Sequence, residues 1–365
     1  MSGRMPANQA PSAGLRPLRV VAMGGGTGLS NLLRGLKHFT PAHGTSAVRN
    51  GSECIAELSA VVTVSDDGGS SGRLRKELNM PPPGDIRSCI VALSEDEALL
   101  SRLFQHRFQK GSGLEGHSFG NLFLAALTSV AGDFTDAVRQ SSEILATRGH
   151  IYPATTSHIE LEAEMQDGTH VRGETKITAS SGRIVKLFLV PPDVQPLPQT
   201  LAAISCADLI TVGPGSLFTS LVPNLLVRGI PEAMAASTGV KVFVCNLMTQ
   251  ANESLGLTAG DHIRALHEHA GLPIFDFALI NRKPVSHNVK ARYALEGASQ
   301  IVADLDALCS MGVCPLIGDY LVEGDKARHA TDQVAQDLIH LAQQVMVHGK
   351  DAILAASGFV VGRKR

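Results

Sequence analysis

A short apolar run that passes straight into glycines constrains this chain more than any other feature. Residues 19–23, RVVAM, have the length of a strand, and GGGTGLSNLLRGLK follows at once. Within it Leu29, Leu32, Leu33 and Leu36 recur at helical spacing, which predicts strand, glycine turn, helix. A second buried strand, ELSAVVTV, ends in SDDGGSSGRLR. Strand, helix and strand within about forty residues form a βαβ unit, whose parallel strands require both sheet faces to be covered. The same phrase, apolar strand then polar or glycine turn, returns in ADLITVGPGS and KVFVCNLMTQ. DFALIN predicts a further strand and TDQVAQDLIHLAQQVM a closing helix. The expected fold is α/β: a Rossmann-like, doubly wound, mostly parallel sheet.

Two stretches interrupt that alternation. IRSCIVALS, EALLSRLFQHRF, GNLFLAALTSV and DFTDAVRQSSEILAT predict a helical insertion over about 86–147. IELEAEMQDGTHVRGETKI alternates at period two around Asp167-Gly168, and GRIVKLFLV continues it, which predicts an antiparallel β-hairpin insertion over about 158–190. A polar tail rich in Pro, Ala, Gly and Ser is expected to be disordered over 1–18, with one domain over 19–348 and a C-terminal tail over 349–365. Residues 41–57 read as a loop.

Composition removes several function classes. Of 365 residues 44% are hydrophobic and 18% charged, enough apolar matter for a substantial core. A net charge of -2 leaves no footprint for nucleic acid or an anionic membrane, and with no Trp and three Tyr there is little to stack bases on. The cysteines at 54, 89, 206, 245, 309 and 314 form no CxxC pair, so they read as small core residues of a protein in a reducing compartment. The N-terminus has no apolar signal core, and no apolar run approaches the ~18–20 residues of a membrane span. A soluble, cytoplasmic protein without membrane insertion is expected.

Four segments are candidates for ligand chemistry. Gly24, Gly25, Gly26, Thr27 and Gly28 lie between strand and helix, where a phosphate can approach backbone N–H groups; the spacing is neither GxGxxG nor a P-loop. Asp66 and Asp67 end the second strand, placed to accept from sugar hydroxyls or to hold magnesium together with a ligand phosphate. In PPPGDIR, Asp85 suits a helix N-cap and Arg87 a phosphate contact; in GHSFGN, Ser118 suits a cap while His117 and Asn121 are expected to face the pocket. GHSFG has the letters of a nucleophile elbow but no preceding strand and no placeable triad, so a hydrolase is set aside. Gly213, Pro214, Gly215 and Ser216 form a second glycine turn, with Ser216 expected to cap the next helix, and Asn246 ends a third strand. Two glycine turns on core strands imply one shared crevice.

GGGTGLSNLLRGLK, VTVSDDGGSSGRLR, PPPGDIRSCIVALS, GHSFGNLFLAALTSVAGDF, VGPGSLFTSLVPNLLV and CNLMTQ, in this order, resemble the YvcK/CofD-like family, specifically its gluconeogenesis-factor branch. The likeness runs from about Arg19 to Leu338. It implies a Rossmann-like nucleotide-binding fold in the bacterial cytoplasm and a link to cell shape and wall synthesis during growth on gluconeogenic carbon. It also implies binding of UDP-sugars, notably UDP-N-acetylglucosamine, at the glycine loops, Asp66, Asp67, Asn121 and Gly213 to Ser216. Two departures stand out: ANESLGLTAGDH follows CNLMTQ where the branch has a Pro-Gly-Glu-Thr-type turn, and RHATDQ replaces Arg-His-Asp-Pro.

Two readings follow. One is a nucleotide-sugar sensor without turnover, whose closure on ligand changes a surface for a wall-regulatory partner protein or a second subunit of a homo-oligomer. The other is a transferase like CofD, moving a phospholactyl group from a guanylyl-linked donor to a deazaflavin precursor, with Asp66 or Asp67 binding magnesium. A nicotinamide-dependent oxidoreductase is disfavoured by the glycine spacing and by the lack of an acidic residue ~20 positions beyond the loop.

Overall fold

The computed structural model describes residues 15–42, 54–95 and 102–356. Its centre is β1, Leu18–Gly24, a strand whose residues are almost all buried. Around it run β2 (Ile55–Val62), β3 (His150–Pro153), β7 (Leu209–Val212), β8 (Val240–Val244), β9 (Phe277–Asn281) and β10 (Cys314–Gly318). The seven form one sheet in the order β10-β9-β8-β7-β1-β2-β3, and every pairing in it is parallel. The expected doubly wound α/β architecture is therefore present.

Strand alternation sorts side chains onto the two faces. Val20, Ala22, Leu58, Val62, Val242 and Leu279 join one core cluster; Val21, Met23, Val61, Ile210, Phe243 and Ile280 join the other. On the first face lie α1 (Gly26–Lys37), α2 (Gly69–Leu78), α3 (Gly84–Leu93), α4 (Phe119–Ala131) and α5 (Phe134–Ile144). The four leucines that predicted α1 are at most 2% exposed. Each such burial contributes about 1.5–3 kcal/mol, so α1 is held by packing more than by its glycine-containing sequence.

The interval 158–190 is a three-stranded antiparallel sheet, ordered β5-β4-β6, of β4 (Glu160–Met165), β5 (His170–Arg172) and β6 (Ile184–Val190). A short helix, α6 (Glu174–Ala179), sits between β5 and β6, and Gly168 takes a positive φ of 82° in the β4–β5 turn. The second face also carries α7 (Pro198–Cys206), a π-turn at Leu217–Leu221, α8 (Val222–Leu225), α9 (Ile230–Ala236) and α10 (Ala259–Ala270). Beyond β9 come α11 (His287–Ala294), α12 (Leu305–Ser310), the hairpin β11 (Leu321–Glu323)–β12 (Ala327–His329), α13 (Thr331–His348) and α14 (Lys350–Ala356).

Several boundaries differ from the periodicity reading. Order begins before residue 19: Arg16 donates to Asp208 at 2.6 and 2.8 Å, and Leu18 is fully buried. The C-terminal interval opens with α14, whose Lys350 reaches Asp276 at 3.0 Å. The greater parts of both expected tails, 1–14 and 357–365, and most of the 41–57 loop lie outside the described residues. None of the six cysteines is in a disulfide, and three of them are buried. Among the described residues no helix is long and apolar enough to cross a membrane.

Candidate functional site

The sheet order places β1 beside β7, with β2 and β3 continuing to one side and β8 to β10 to the other. Winding reverses between these two strands, so their following loops diverge and leave a crevice at the carboxyl ends. Those loops are the two predicted glycine turns. Gly213 N–H donates to the Met23 carbonyl at 3.0 Å, and a Cβ on Gly28 would lie 2.1 Å from the Pro214 carbonyl oxygen. Only a glycine permits that approach. Around them opens a cleft of about 1390 Å³ lined by Gly25, Gly26, Thr27, Gly28, Pro214, Gly215, Ser216 and Asn246, among others. Gly24 and Gly213 sit beneath these loops rather than in the lining.

Helix α1 starts at an extended Gly25 with no side-chain cap. The first intrahelical bond is made by Leu29 N–H to Gly25, which leaves Gly26, Thr27 and Gly28 N–H without a partner inside the helix. The Asp85 carboxylate lies at this start, its charged form favoured by the Gly26 backbone. This corrects the expected role of Asp85: it lies within the first turn of α3, whose N-cap is Pro83, and its carboxylate serves α1 instead. Burial pushes the Asp85 carboxyl up to about 6, partly offset by the Gly26 bond. A neighbouring carboxyl, Glu174, was not singled out in the sequence because it arrives on α6 from the antiparallel sheet. It accepts from Ser65 Oγ at 3.0 Å, and burial first, then Asp66 and Asp85, push it well above the usual range.

The adjacent pair after β2 divides its duties. Asp66 lines the cleft, and its Oδ1 accepts from Gly68 N–H at 2.9 Å. Asp67 turns away: its Oδ1 accepts from Thr175 N–H at 2.9 Å and Thr175 Oγ1 at 2.6 Å. It ties the loop to the start of α6, so the two carboxylates do not converge on one metal. Among the described residues no group of three or more His, Cys, Asp or Glu is arranged to hold a metal ion. Asp66 fits as a single magnesium ligand completed by phosphate oxygens and water.

His117 and Asn121 are placed behind the cleft, not in its lining. His117 Nδ1 is 2.9 Å from Ser70 Oγ, and Asn121 Nδ2 donates to Ser70 and Ser71 Oγ at 3.2 and 3.3 Å. Both are buried, and burial lowers the His117 pKa, keeping the imidazole neutral. Their work is to anchor the first turn of α2. Ser118 caps α4 by accepting from Asn121 N–H, as its position suggested. Arg87 does line the cleft, and burial and then Arg107 lower its pKa.

On the β7 side, Asn246 clamps the second turn: Gly215 N–H donates to its Oδ1 at 3.0 Å, and its Nδ2 donates to Gly215 O at 2.6 Å. Ser216 makes no side-chain cap; its hydroxyl accepts from Gln250 at 3.0 Å. The capping is done by Glu253, which accepts from Thr219 N–H at 2.8 Å. Glu253 belongs to the unusual turn after CNLMTQ, where Asn252 has a φ of 60°, a left-handed conformation that Asn adopts more readily than most residues. The far wall is β11–β12 with α11, supplying Arg292, Tyr293, Lys326, Arg328 and His329. Burial holds His329 down to about 4, and its Nε2 meets the Cys245 carbonyl at 3.1 Å. These residues carried no motif signal beyond the departure noted at RHATDQ.

Comparison with known proteins agrees with this fold. A family model described as 2-phospho-L-lactate transferase CofD matches residues 20–321. A gluconeogenesis factor of Halalkalibacterium halodurans is 48% identical over 327 residues, covering 89% of this chain and 97% of that protein. One from Bacillus subtilis is 45% identical over 328 residues, covering 89% and 98%. The crystal structure of a UPF0052 family member from Bacillus halodurans superposes with a TM-score of 0.82 at 47% identity, covering 89% of this chain and all of that one. The chain belongs to the CofD/YvcK family, among the bacterial proteins that carry the name gluconeogenesis factor.

Proposed function

We propose that this protein binds a nucleotide sugar of the UDP-N-acetylglucosamine type in the cleft and reports its level without consuming it, linking carbon metabolism to wall synthesis and cell shape in the cytoplasm. The observation that carries this reading is the start of α1, where Thr27 and Gly28 N–H have no partner inside the helix, interlocked with the Gly213–Ser216 turn at the reversal point of the sheet. Unpaired helix N–H groups and the helix dipole favour a diphosphate there. Arg34, Arg292, Lys326 and Arg328 also line the cleft, so a doubly charged ligand meets cations from separate elements. Tyr293, the one Phe, Tyr or Trp in the described lining, offers a ring face for a base. Ligand-driven movement of the β11–β12 hairpin would alter the outer surface that a regulatory protein or second subunit reads.

A phospholactyl transfer is the second reading, favoured by Asp85. A carboxyl titrating near 6 in a cleft is suited to accept a proton from an acceptor hydroxyl. In that case magnesium on Asp66 would neutralise the donor phosphates. Calorimetry against UDP-N-acetylglucosamine, UDP-glucose and GDP, with and without magnesium, followed by chromatography of the recovered nucleotide, separates the two. Tight UDP-sugar binding with the ligand intact supports the sensor. A magnesium-dependent preference for guanine nucleotides overturns it.

A further inference from the structure

The helical insertion contributes a pair of arginines that the nucleotide-binding reading leaves without work. Arg87 stands on α3 and Arg107 on the segment before α4, and both line the cleft. Arg87 is half-buried, yet its single side-chain hydrogen bond among the described residues is a long one, 3.4 Å to Ser88 Oγ. Among the other cleft cations, Arg34 donates to Asn31 at 3.1 Å, Arg292 to the Gly324 carbonyl at 2.6 Å and Arg107 to the Gly116 carbonyl. The nearest carboxylates are already engaged, Asp66 by Gly68 N–H and Asp85 by the Gly26 backbone. Neither makes an ion pair with Arg87.

The position is built, not incidental. A Cβ on Gly120 of α4 would lie 2.5 Å from Phe104 Cδ1 and 2.8 Å from both Cγ and Cδ of Arg87, so glycine there leaves room for the phenylalanine ring and the arginine stem together. Burial and the Arg107 charge both disfavour the charged state of Arg87. Half-buried Arg87 beside the charge of exposed Arg107 costs free energy until an anion joins them, and their planar forks suit a carboxylate or phosphate. The cleft, at about 1390 Å³, exceeds the ~300–1,000 Å³ of an ordinary small-ligand pocket and has room beyond a nucleoside diphosphate. Asp85 of α3 lies against the α1 start, with its Oδ2 2.8 Å from a Cβ built on Gly25, so Arg87 on the same helix stands near the position of the diphosphate.

We infer that Arg87 and Arg107 form a second anion subsite, which takes an acidic substituent carried by the sugar of the bound nucleotide. The inference rests on the nucleotide-sugar reading above. Its test is calorimetry with UDP-glucuronate and UDP-glucose, a pair that differs only in the carboxylate at C6. Wild-type protein should bind UDP-glucuronate at least tenfold more tightly. That ratio should fall to about one in Arg87→Gln and shrink in Arg107→Gln, and Arg87→Lys should retain part of it; melting temperatures of all three variants check the fold. Equal affinities in the wild type, or a ratio that survives both glutamine variants, overturns the subsite. If neither UDP-sugar binds the wild type, the nucleotide-sugar reading fails on its own. Free D-glucuronate then decides the subsite: stabilisation of the wild type but not of Arg87→Gln keeps it as a site for a separate small anion, and an equal response removes it.

Discussion

Replacing Asp85 by Asn removes a proton-linked charge from beneath the α1 N-terminus, and the consequence for stability can be worked from the structure. Burial raises the Asp85 carboxyl from 3.8 to about 6 in the folded protein. Because the folded state holds this proton more tightly than the unfolded chain, the linked stability is fully present below about 4. It is lost as pH rises through about 6. A shift of about two units corresponds to roughly 3 kcal/mol of penalty at pH 7.5, at about 1.36 kcal/mol per unit. Asparagine carries no such penalty, and the favourable Gly26 contribution is already counted in that net shift. Asp85→Asn should therefore be more stable than wild type by about 3 kcal/mol at pH 7.5 and by about half that near pH 5. Urea unfolding of both proteins at pH 5, 6, 7 and 8 reads this directly. A stability difference that does not change across that range would refute the assignment of the buried proton to Asp85. An anionic ligand at Thr27 and Gly28 should raise the same pKa further, so affinity for UDP-N-acetylglucosamine should weaken from pH 5.5 to 7.5 in wild type and stay nearly flat in Asp85→Asn.

The two adjacent aspartates should separate cleanly. Asp67→Ala should cost about 1–2 kcal/mol in urea unfolding, because Thr175 loses both bonds, while nucleotide affinity changes less than threefold; a tenfold loss of affinity would return Asp67 to the cleft. Asp66→Ala should instead weaken UDP-sugar binding at least fivefold with a smaller effect on stability, and unchanged calorimetric affinity would exclude it. Gly28→Ala drives a Cβ against the Pro214 carbonyl, so it should destabilise by more than about 2 kcal/mol and abolish binding; near-neutral thermal unfolding would show that the two glycine turns are not interlocked. Asn246→Ala frees Gly215 and should weaken binding about tenfold, and wild-type affinity would show that the turn holds itself.

Much of this was legible because it is local. Strand length, the alternation that sorts Val20 from Val21, the leucine spacing of α1 and the glycines that end β1 and β7 each depend on a few neighbouring residues. So does the Asp167-Gly168 turn, since left-handed backbone selects glycine wherever it falls. The ordered succession of apolar strands and polar turns sufficed to specify a doubly wound sheet with glycine turns at one edge.

Roles within the site were less legible, because they depend on partners far away in the chain. Nothing near Asp66 and Asp67 says which faces the cleft; Thr175, 108 residues on, decides it by claiming Asp67. Asp85 looked like a cap for its own helix, but the packing of α3 against α1 gave its carboxylate to Gly26. His117 and Asn121 have the chemistry of pocket residues and became struts for α2. Asn224 donates to the Gly24 carbonyl from 200 residues away, a support no periodicity announces. The sequence by itself determined the elements and the glycine turns, since sterics and hydrophobic period act within a turn of helix or a pair of strand residues. Which polar groups face the cleft was settled by the tertiary structure alone, because burial and hydrogen-bond partners are properties of the assembled sheet order, which sets β7 beside β1.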